Sequence, residues 1–215
     1  MMPVSLDIPV EQAGLHSQDY YARNAEEYAA STLDLDLTPL YERFLAYLPK
    51  DALILDAGSG SGRDTLAFLK RGYVVEAFDA SPELSAFSSR LTGFPTRVLR
   101  FQEFDDVNQY DGIWACASLL HVPKAELHGA LVRLVLALKS GGILYMSFKH
   151  GDDERVAKDG RFYSDVTEEE LTALLSAIPD ISIEEVWLSE GESRLKGKGD
   201  WVNAIVRRLT RKEDI

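Results

Sequence analysis

Leu53-Ile54-Leu55-Asp56-Ala57-Gly58-Ser59-Gly60-Ser61-Gly62-Arg63-Asp64 is the stretch whose reading decides the fold. The apolar run Ala52-Leu53-Ile54-Leu55 reads as a short buried strand, and a glycine-rich turn leads from it into a helix through Leu66, Phe68 and Leu69. Strand, turn and helix in that order put the turn at the carboxyl end of a sheet, where doubly wound folds bind ligands. Two familiar phosphate loops do not fit. Gly58 and Gly60 match the first two places of Gly-x-Gly-x-x-Gly/Ala, but the third falls on Arg63, which blocks the close helix–strand packing required there. No Gly-Lys-Ser/Thr follows, so the Walker pattern fails too. Asp56 stands at the strand's end, two residues before the first glycine. A carboxylate there opposes a pyrophosphate and suits a ligand with a cationic part, such as an ammonium or a sulfonium.

Upstream, residues 17–31 read as a helix, with Tyr20, Tyr21, Ala25, Tyr28 and Ala29 along one side. A second helix is predicted over 38–48, with Thr38 as its cap and Pro39 in its first turn. Residues 1–16 show no clear period and are expected to be a flexible segment, leaving 17–215 as one domain. Downstream, strands are predicted over 73–78, 96–99, 112–116 and 142–148. Helices are predicted over 81–91, 123–138 and 167–177, the last capped by Thr167 with Glu168, Glu169 and Glu170 in its first turn. Strands alternating with helices imply a parallel sheet covered on both faces, a three-layer α/β/α sandwich. The last two strands, 181–188 and 201–209, have no helix between them. They imply a hairpin in which one strand runs antiparallel to the rest.

Composition narrows the function. The 215 residues, 46% hydrophobic and 27% charged, suit one domain with a sizeable core. The formal net charge is −12, from 35 acidic and 23 basic side chains. Such a chain repels phosphate backbones and anionic lipid unless basic groups are concentrated somewhere. The densest basic stretch, Arg194, Lys196 and Lys198 with Arg207, Arg208, Arg211 and Lys212 beyond it, is broken by acidic residues and reads as solvated surface. Neither nucleic acid nor membrane is expected as a partner. The lone Cys116 permits no internal disulfide, no run of about 18 apolar residues exists, and the start lacks a basic region followed by an apolar core. A cytoplasmic protein, monomer or weak homodimer, is expected. No Cys/His cluster has metal-ligand spacing, so no metal is expected.

Asp79 ends the second strand, where an acid accepts the two hydroxyls of a ribose; dinucleotide folds use one there too, so it indicates a nucleoside without saying which. Four stretches, in order and at the right spacing, resemble the class I S-adenosylmethionine (SAM)-dependent methyltransferases. They are Leu55-Asp56-Ala57-Gly58-Ser59-Gly60-Ser61-Gly62, Val75-Glu76-Ala77-Phe78-Asp79-Ala80-Ser81, the segment from Tyr110 through Trp114-Ala115-Cys116-Ala117-Ser118 to His121-Val122, and Leu138-Lys139-Ser140-Gly141-Gly142-Ile143-Leu144. The resemblance covers about residues 17–209. It implies a Rossmann-like seven-stranded sheet ordered 3-2-1-4-5-7-6 with strand seven antiparallel. It further implies that the Gly58, Ser59, Gly60 and Gly62 backbone lies under SAM and that Asp56 faces its amino end, directly or through water. Asp79 would hold the ribose, Ala80 and Ser81 would flank the adenine, and Gln102-Glu103-Phe104 would cover it. Many members carry an aspartate in that last segment; here Gln102 or Glu103 would serve, with the register open. Ala117 is carried over with the fourth-strand motif. A narrower likeness, to the tellurite-resistance-like branch of small-molecule methyltransferases, rests on residues 114–122, 147–149, 160–163 and 201–203.

Methyl transfer from a sulfonium is an in-line displacement that mainly needs a nucleophile placed behind the methyl group and water kept out. A base is required only when the nucleophile arrives protonated. His121 is the catalytic candidate because it follows the fourth strand; otherwise it bonds backbone or caps the next helix. Tyr21 and Tyr28 on the N-terminal helix are cofactor candidates, since such helices close over SAM in the family; alternatively their ring stripe packs on the domain edge. Tyr20, Arg23, Lys149, Arg161 and Tyr163 are candidates for binding the acceptor, with solvated loop charge as the alternative for Lys149 and Arg161. Ala115-Cys116-Ala117-Ser118 lacks the Asn/Asp-Pro-Pro-aromatic signature of enzymes acting on amide or exocyclic amino nitrogens. Cys116 is expected to pack as a small hydrophobe. The expected activity is methylation of a small oxyanion, thiol or metabolite. A non-catalytic SAM-binding module and a nicotinamide-dependent oxidoreductase remain as rivals.

Overall fold

Apolar residues on the central strands point alternately to the two faces of one sheet, so each strand feeds two separate cores. Ile54, Trp114, Ile143, Tyr145 and Ile205 pack on one face, and Leu55, Ile113, Leu144, Met146 and Val206 on the other. That period of two, without a polar face, is the mark of a sheet covered on both sides. The structure, a computed structural model, describes residues 10–190 and 200–210.

In chain order the elements are α1 (Val10–Thr32), α2 (Thr38–Leu45), β1 (Leu53–Ala57), α3 (Arg63–Lys70), β2 (Val74–Asp79), α4 (Pro82–Thr92), β3 (Thr96–Val98) and β4 (Tyr110–Ala115). Then come a 3-10 turn (Leu119–His121), α5 (Lys124–Ala137), β5 (Leu138–Lys149), β6 (Glu154–Val156), β7 (Phe162–Ser164), α6 (Glu168–Ser176), β8 (Ile181–Glu190) and β9 (Asp200–Arg208). The sheet order is β3-β2-β1-β4-β5-β9-β8. The first five of these run parallel, and β9 is antiparallel to both neighbours. The topology expected from the motifs and the terminal hairpin is therefore the one observed.

Tyr41, Phe44 and Phe68, on α2 and α3, cover one face, and Leu127, Leu131 and Leu134 of α5 with Leu171 and Leu175 of α6 cover the other. Thr167 caps α6 in a reciprocal box with Glu170, as its sequence predicts. Ser81 caps α4, accepting from Leu84 N.

Four local expectations are corrected. α1 begins at Val10, inside the stretch read as aperiodic; it is kinked at Asn24, whose side chain donates to Tyr20 O at 2.8 Å. Residues 1–9 lie outside the described residues, as do Arg194, Lys196, Lys198, Arg211 and Lys212 of the basic stretch. Thr38 does not cap α2. Leu37 holds that position, and Thr38 N donates to Asp36 Oδ1 at 2.9 Å, an Asx-type turn that uses the preceding acid. α2 also stops at Leu45, three residues before the end its apolar stripe suggests. The β6–β7 hairpin was not expected, because three-residue strands are too short to show a period.

Asp64 ties the α2–α3 side together. It sits in the first turn of α3, where a negative charge opposes the helix dipole. Buried, it accepts from Tyr41 Oη (2.5 Å), Trp114 Nε1 (2.8 Å), Arg63 Nε (2.6 Å) and Arg63 Nη2 (2.9 Å). Burial alone pushes this carboxyl up, but the Arg63 guanidinium and the three hydrogen-bonding partners outweigh it and hold it below the usual carboxylate range. Trp114 in turn stacks on Tyr145 with ring centres 4.0 Å apart. Asp64→Ala leaves a guanidinium, an indole N–H and a phenol without their acceptor. It is expected to cost about 3–5 kcal/mol in urea unfolding; a loss below about 1 kcal/mol would show that the hub is not needed.

Candidate functional site

The carboxyl ends of β1, β2 and β4 open into a cavity of about 370 Å³, roofed by α1. Gly58 and Gly60 form its floor and Asp79, Ala80 and Ser81 one side. Phe78, Leu84, Leu99 and Phe101 make an apolar slot, and Ser17, Gln18, Tyr21 and Tyr28 come from α1. Ala117, Ser118 and His121 follow β4.

The floor is set by backbone geometry. Gly58 has φ +75°, and a Cβ there would stand 2.5 Å from Ser118 Cβ. Ser118 donates to Ala57 O at 2.7 Å, so the turn after β1 and the turn after β4 are pressed together and bonded. Gly60 N donates to Asp79 Oδ2 at 2.8 Å, and Ser81 N donates to Asp79 Oδ1 at 2.8 Å. Burial pushes the Asp79 carboxyl up while these two N–H groups pull it down. Its orientation is fixed before any ligand arrives.

Gly62 does a different job from the one the motif implies. It does not line the cavity; with φ +81°, a Cβ there would sit 2.5 Å from Ser88 Oγ and 3.0 Å from Ser88 Cα. It lets α3 start hard against α4. This is the close-packing role of the third glycine in the dinucleotide fingerprint, moved one residue earlier. Ser59 also turns away from the cavity, its N donating to Phe78 O at 2.9 Å. Asp56 is buried outside the cavity lining and accepts from Thr65 Oγ1 at 2.6 Å. Burial and the neighbouring Asp64 push its carboxyl up to about 8. Burial and Asp64 thus disfavour charge on Asp56, and its side chain bonds Thr65 and does not line the cavity where direct reach toward a cationic ligand was expected.

At the slot, Gln102 and Glu103 part ways. Gln102 lines the cavity and donates from Nε2 to Glu126 Oε2 at 2.6 Å. Glu103 faces outward in an exposed pair with Arg100 at 2.7 Å. Phe104 is fully buried, stacked on Phe78 with centres 5.1 Å apart, and supports the slot from beneath. Phe101 and Glu126 were missed by sequence reading. Glu126 carried one signal, its place in the first turn of a helix that starts beside the fourth-strand motif.

His121 stands between α1 and β7. Its Nδ1 lies 2.6 Å from Phe162 O, which can only accept, so Nδ1 carries the hydrogen. Nε2 is then the bare nitrogen and accepts from Tyr21 Oη at 3.0 Å. Ser17 Oγ accepts from Phe162 N at 3.1 Å, docking α1 onto the same strand. Burial pushes the imidazole down to about 4; the Phe162 bond opposes this and nearby Arg161 adds to it. Burial, then Tyr28, raises the Tyr21 phenol well above its ordinary value, so it stays a donor. The basic atom of His121 is thus already occupied. It does not face the cavity as the free base that its position after β4 suggested.

The acceptor candidates fall outside the cavity lining. Arg23 is exposed, 3.7 Å from Asp19. Lys149 lies over the Trp201 ring at 4.0 Å. Arg161 is paired with Asp159 at 2.6 Å and lies over the rings of Tyr20 (4.8 Å) and Tyr163 (5.4 Å). Tyr163 packs behind His121 with ring centres 5.0 Å apart. Tyr20, Arg161 and Tyr163 thus lie behind the Tyr21–His121 pair, outside the cavity lining. Cys116 packs among the α2–α3 core residues, its thiol pushed up to about 12 by burial, as expected of a small hydrophobe. Among the described residues, no group of three or more His, Cys, Asp or Glu side chains could hold a metal ion, and no helix is long and apolar enough to cross a membrane.

A family profile described as a methyltransferase domain matches residues 21–176. No curated protein matches the chain. Among solved structures, 1,6-didemethyltoxoflavin-N1-methyltransferase of Burkholderia thailandensis, with bound 1,6-didemethyltoxoflavin and S-adenosylhomocysteine, is 24% identical with a TM-score of 0.77, covering 97% of this chain and 94% of that one. The N-methyltransferase NodS of Bradyrhizobium japonicum WM9, in complex with S-adenosylhomocysteine, is 18% identical with a TM-score of 0.67, covering 89% and 100%. The [4+2]-cyclase SpnF is 14% identical with a TM-score of 0.69, covering 93% and 97%. These likenesses are of fold, and the cyclase illustrates that one fold serves more than one reaction.

The buried neutral imidazole makes two measurable statements. Proton NMR of the His121 ring is expected to show no titration between pH 8 and 5.5; a midpoint near 6.5 would contradict its burial. Because its folded value, about 4, lies below the unfolded one, the unfolded chain binds more protons in between. Stability should therefore fall as pH drops from about 6.5 toward 4, and His121→Gln should flatten that slope.

Proposed function

Because the chain belongs to the class I SAM-dependent methyltransferase family, we propose that it transfers the methyl group of SAM to a small molecule held beneath α1. The observation that carries this reading is the pre-set Asp79 carboxylate at the mouth of an apolar slot, over a floor of glycine backbone. Each Asp79 oxygen already accepts one backbone N–H and keeps a second acceptor site, so the pair suits two neighbouring ribose hydroxyls. Phe78, Leu84, Leu99 and Phe101 offer a flat apolar berth for a purine, with Gln102, Ala80 and Ser81 at its rim. Ala117, Tyr21 and Tyr28 line the far end, where a reacting methyl group belongs.

SAM supplies a methyl group already activated by positive sulfur. The protein's share is to bind, orient and exclude water. The α1 roof does the excluding, and it is held by Ser17 on β7 and Tyr21 on His121. The cavity is of small-molecule size. The net charge of −12 disfavours a nucleic-acid acceptor. The neighbouring fold of 1,6-didemethyltoxoflavin-N1-methyltransferase, with 1,6-didemethyltoxoflavin bound, supports the same class. A cytoplasmic monomer or weak homodimer is the form we assign to it.

Isothermal titration with SAM and separately with NAD tests the cofactor. Heat with SAM and none with NAD is expected, and the reverse would overturn the reading. Asp79→Ala is expected to weaken SAM binding roughly 10- to 100-fold through lost charge-assisted hydrogen bonds; unchanged affinity would remove Asp79 from the ribose.

A further inference from the structure

We propose that Tyr21 Oη is the atom that takes a proton from the acceptor, that His121 Nε2 is where the proton comes to rest, and that this relay serves an acceptor bearing N–H or O–H on a planar ring. The inference rests on the methyltransferase reading above and specifies its acceptor.

Three observations meet here. First, Tyr21 lines the cavity, and its hydroxyl hydrogen is committed to His121 Nε2 at 3.0 Å. The phenol oxygen therefore keeps an acceptor capacity, with the Arg161 guanidinium beside it favouring its charged form. Second, the Phe162 carbonyl, 2.6 Å from Nδ1, fixes the tautomer that leaves Nε2 bare, so the relay is aligned in one direction only. That carbonyl comes from the β6–β7 hairpin, and Ser17 bonds the same residue, so helix, imidazole and hairpin hold one geometry. Third, the wall around this end is largely aromatic. Tyr21 and Tyr28 meet edge to face at 4.9 Å, and Tyr20 meets Tyr21 at 5.2 Å, with the Arg161 guanidinium beside Tyr21 and Asp79 acting on Tyr28 as the charges within reach. An aromatic wall suits a flat ring.

The proton balance closes. The nucleophilic atom forms its bond to the methyl carbon, and the sulfur–methyl bond breaks with its electron pair left on sulfur. The hydrogen on the nucleophile passes to Tyr21 Oη as the hydroxyl hydrogen of Tyr21 passes to Nε2. The positive charge that enters on sulfur leaves on the imidazolium, and Nδ1 keeps its bond to Phe162 O. The proton returns through Tyr21 to water when products leave.

The basicity of the imidazole selects the acceptor. The groups facing it are Tyr21 of α1, Tyr163 of β7, and the Arg161–Asp159 pair of the β6–β7 loop. With its pKa at about 4, it receives a proton only from a group made strongly acidic by methylation. A lactam or heteroaromatic N–H becomes so. An alkylammonium does not, and a thiolate has no proton to give.

The test uses the full chain with SAM and four probes: lumazine and theophylline as N–H rings, 4-nitrothiophenol as a thiol, benzylamine as an amine. S-adenosylhomocysteine formation is followed. Turnover with at least one N–H ring is expected, with kcat flat between pH 6 and 9. Tyr21→Phe and His121→Gln should each lower kcat about 10²- to 10³-fold with KM little changed. Glutamine at 121 still accepts from Tyr21 but cannot take the proton, which separates placement from proton transfer. Independently of turnover, nitrogen-15 NMR with bound S-adenosylhomocysteine should show Nδ1 protonated and Nε2 bare at pH 7, with Tyr21→Phe shifting Nε2. A protonated Nε2, variants that keep their rate, turnover confined to the thiol or amine, or no turnover with either N–H ring would each overturn the proposal. SAM calorimetry on the same sample separates the two failures: retained binding sinks only the relay and its acceptor class, lost binding sinks the methyltransferase reading as well.

Discussion

The ligand end of the sheet depends on one buried negative charge, the carboxylate of Asp64. Four hydrogen bonds from Tyr41, Trp114 and Arg63 converge on it, drawing α2, α3 and β4 to a single point. A buried carboxylate is costly unless its acceptor sites are filled, so each donor is held in place by the need of the charge it meets. Because Asp64 lies two residues past Gly62, the hub also fixes where the glycine turn ends and α3 begins. Arg63 extends the anchorage toward α1, its Nη1 lying 3.5 Å from Thr32 O.

The same charge decides the state of its neighbour. Two interacting carboxylates in a dry place do not both ionise easily, and Asp56, which burial and Asp64 push up against the Thr65 hydrogen bond and the Arg63 charge, is the one whose carboxyl rises. The fixed carboxylate acceptor that lines the cavity is Asp79, across the floor. The chain as a whole is strongly acidic, yet its cavity is mostly backbone, aromatic and neutral polar surface.

The roof over the cavity is built from parts far apart in the chain. Ser17 and Tyr21 of α1 reach Phe162 and His121, and Tyr163, Arg161 and Tyr20 pack behind them. Polar side chains in such a cluster satisfy one another, which is why His121 is neutral, oriented and already bonded. The basic residues after β5 look in sequence like anion binders. In space they neutralise acids or lie on rings, and what they contribute is the shape of the wall.

The sheet order was implied by the resemblance to the methyltransferases; local chemistry was enough to read the alternation of strands and helices, the terminal hairpin, the α6 cap and the place of the cavity. Those follow from alternation of apolar residues, from glycines where backbone must turn left-handed, and from acids at strand ends, all of which act over a few residues. The same local signals pointed to Gly58, Gly60 and Asp79, and the resemblance to Ala117, Tyr21 and Tyr28, all of which lie on the cavity wall. They failed wherever a side chain's neighbour lies far along the chain. Gly62 serves Ser88, Asp56 yields its charge to Asp64, Glu103 turns outward while Gln102 turns in, and His121 gives its bare nitrogen to a tyrosine of α1. Residue type and spacing determine what a group can do. Which atom it faces, and hence its charge and tautomer, is decided only when distant segments pack and must satisfy each other's buried polar groups.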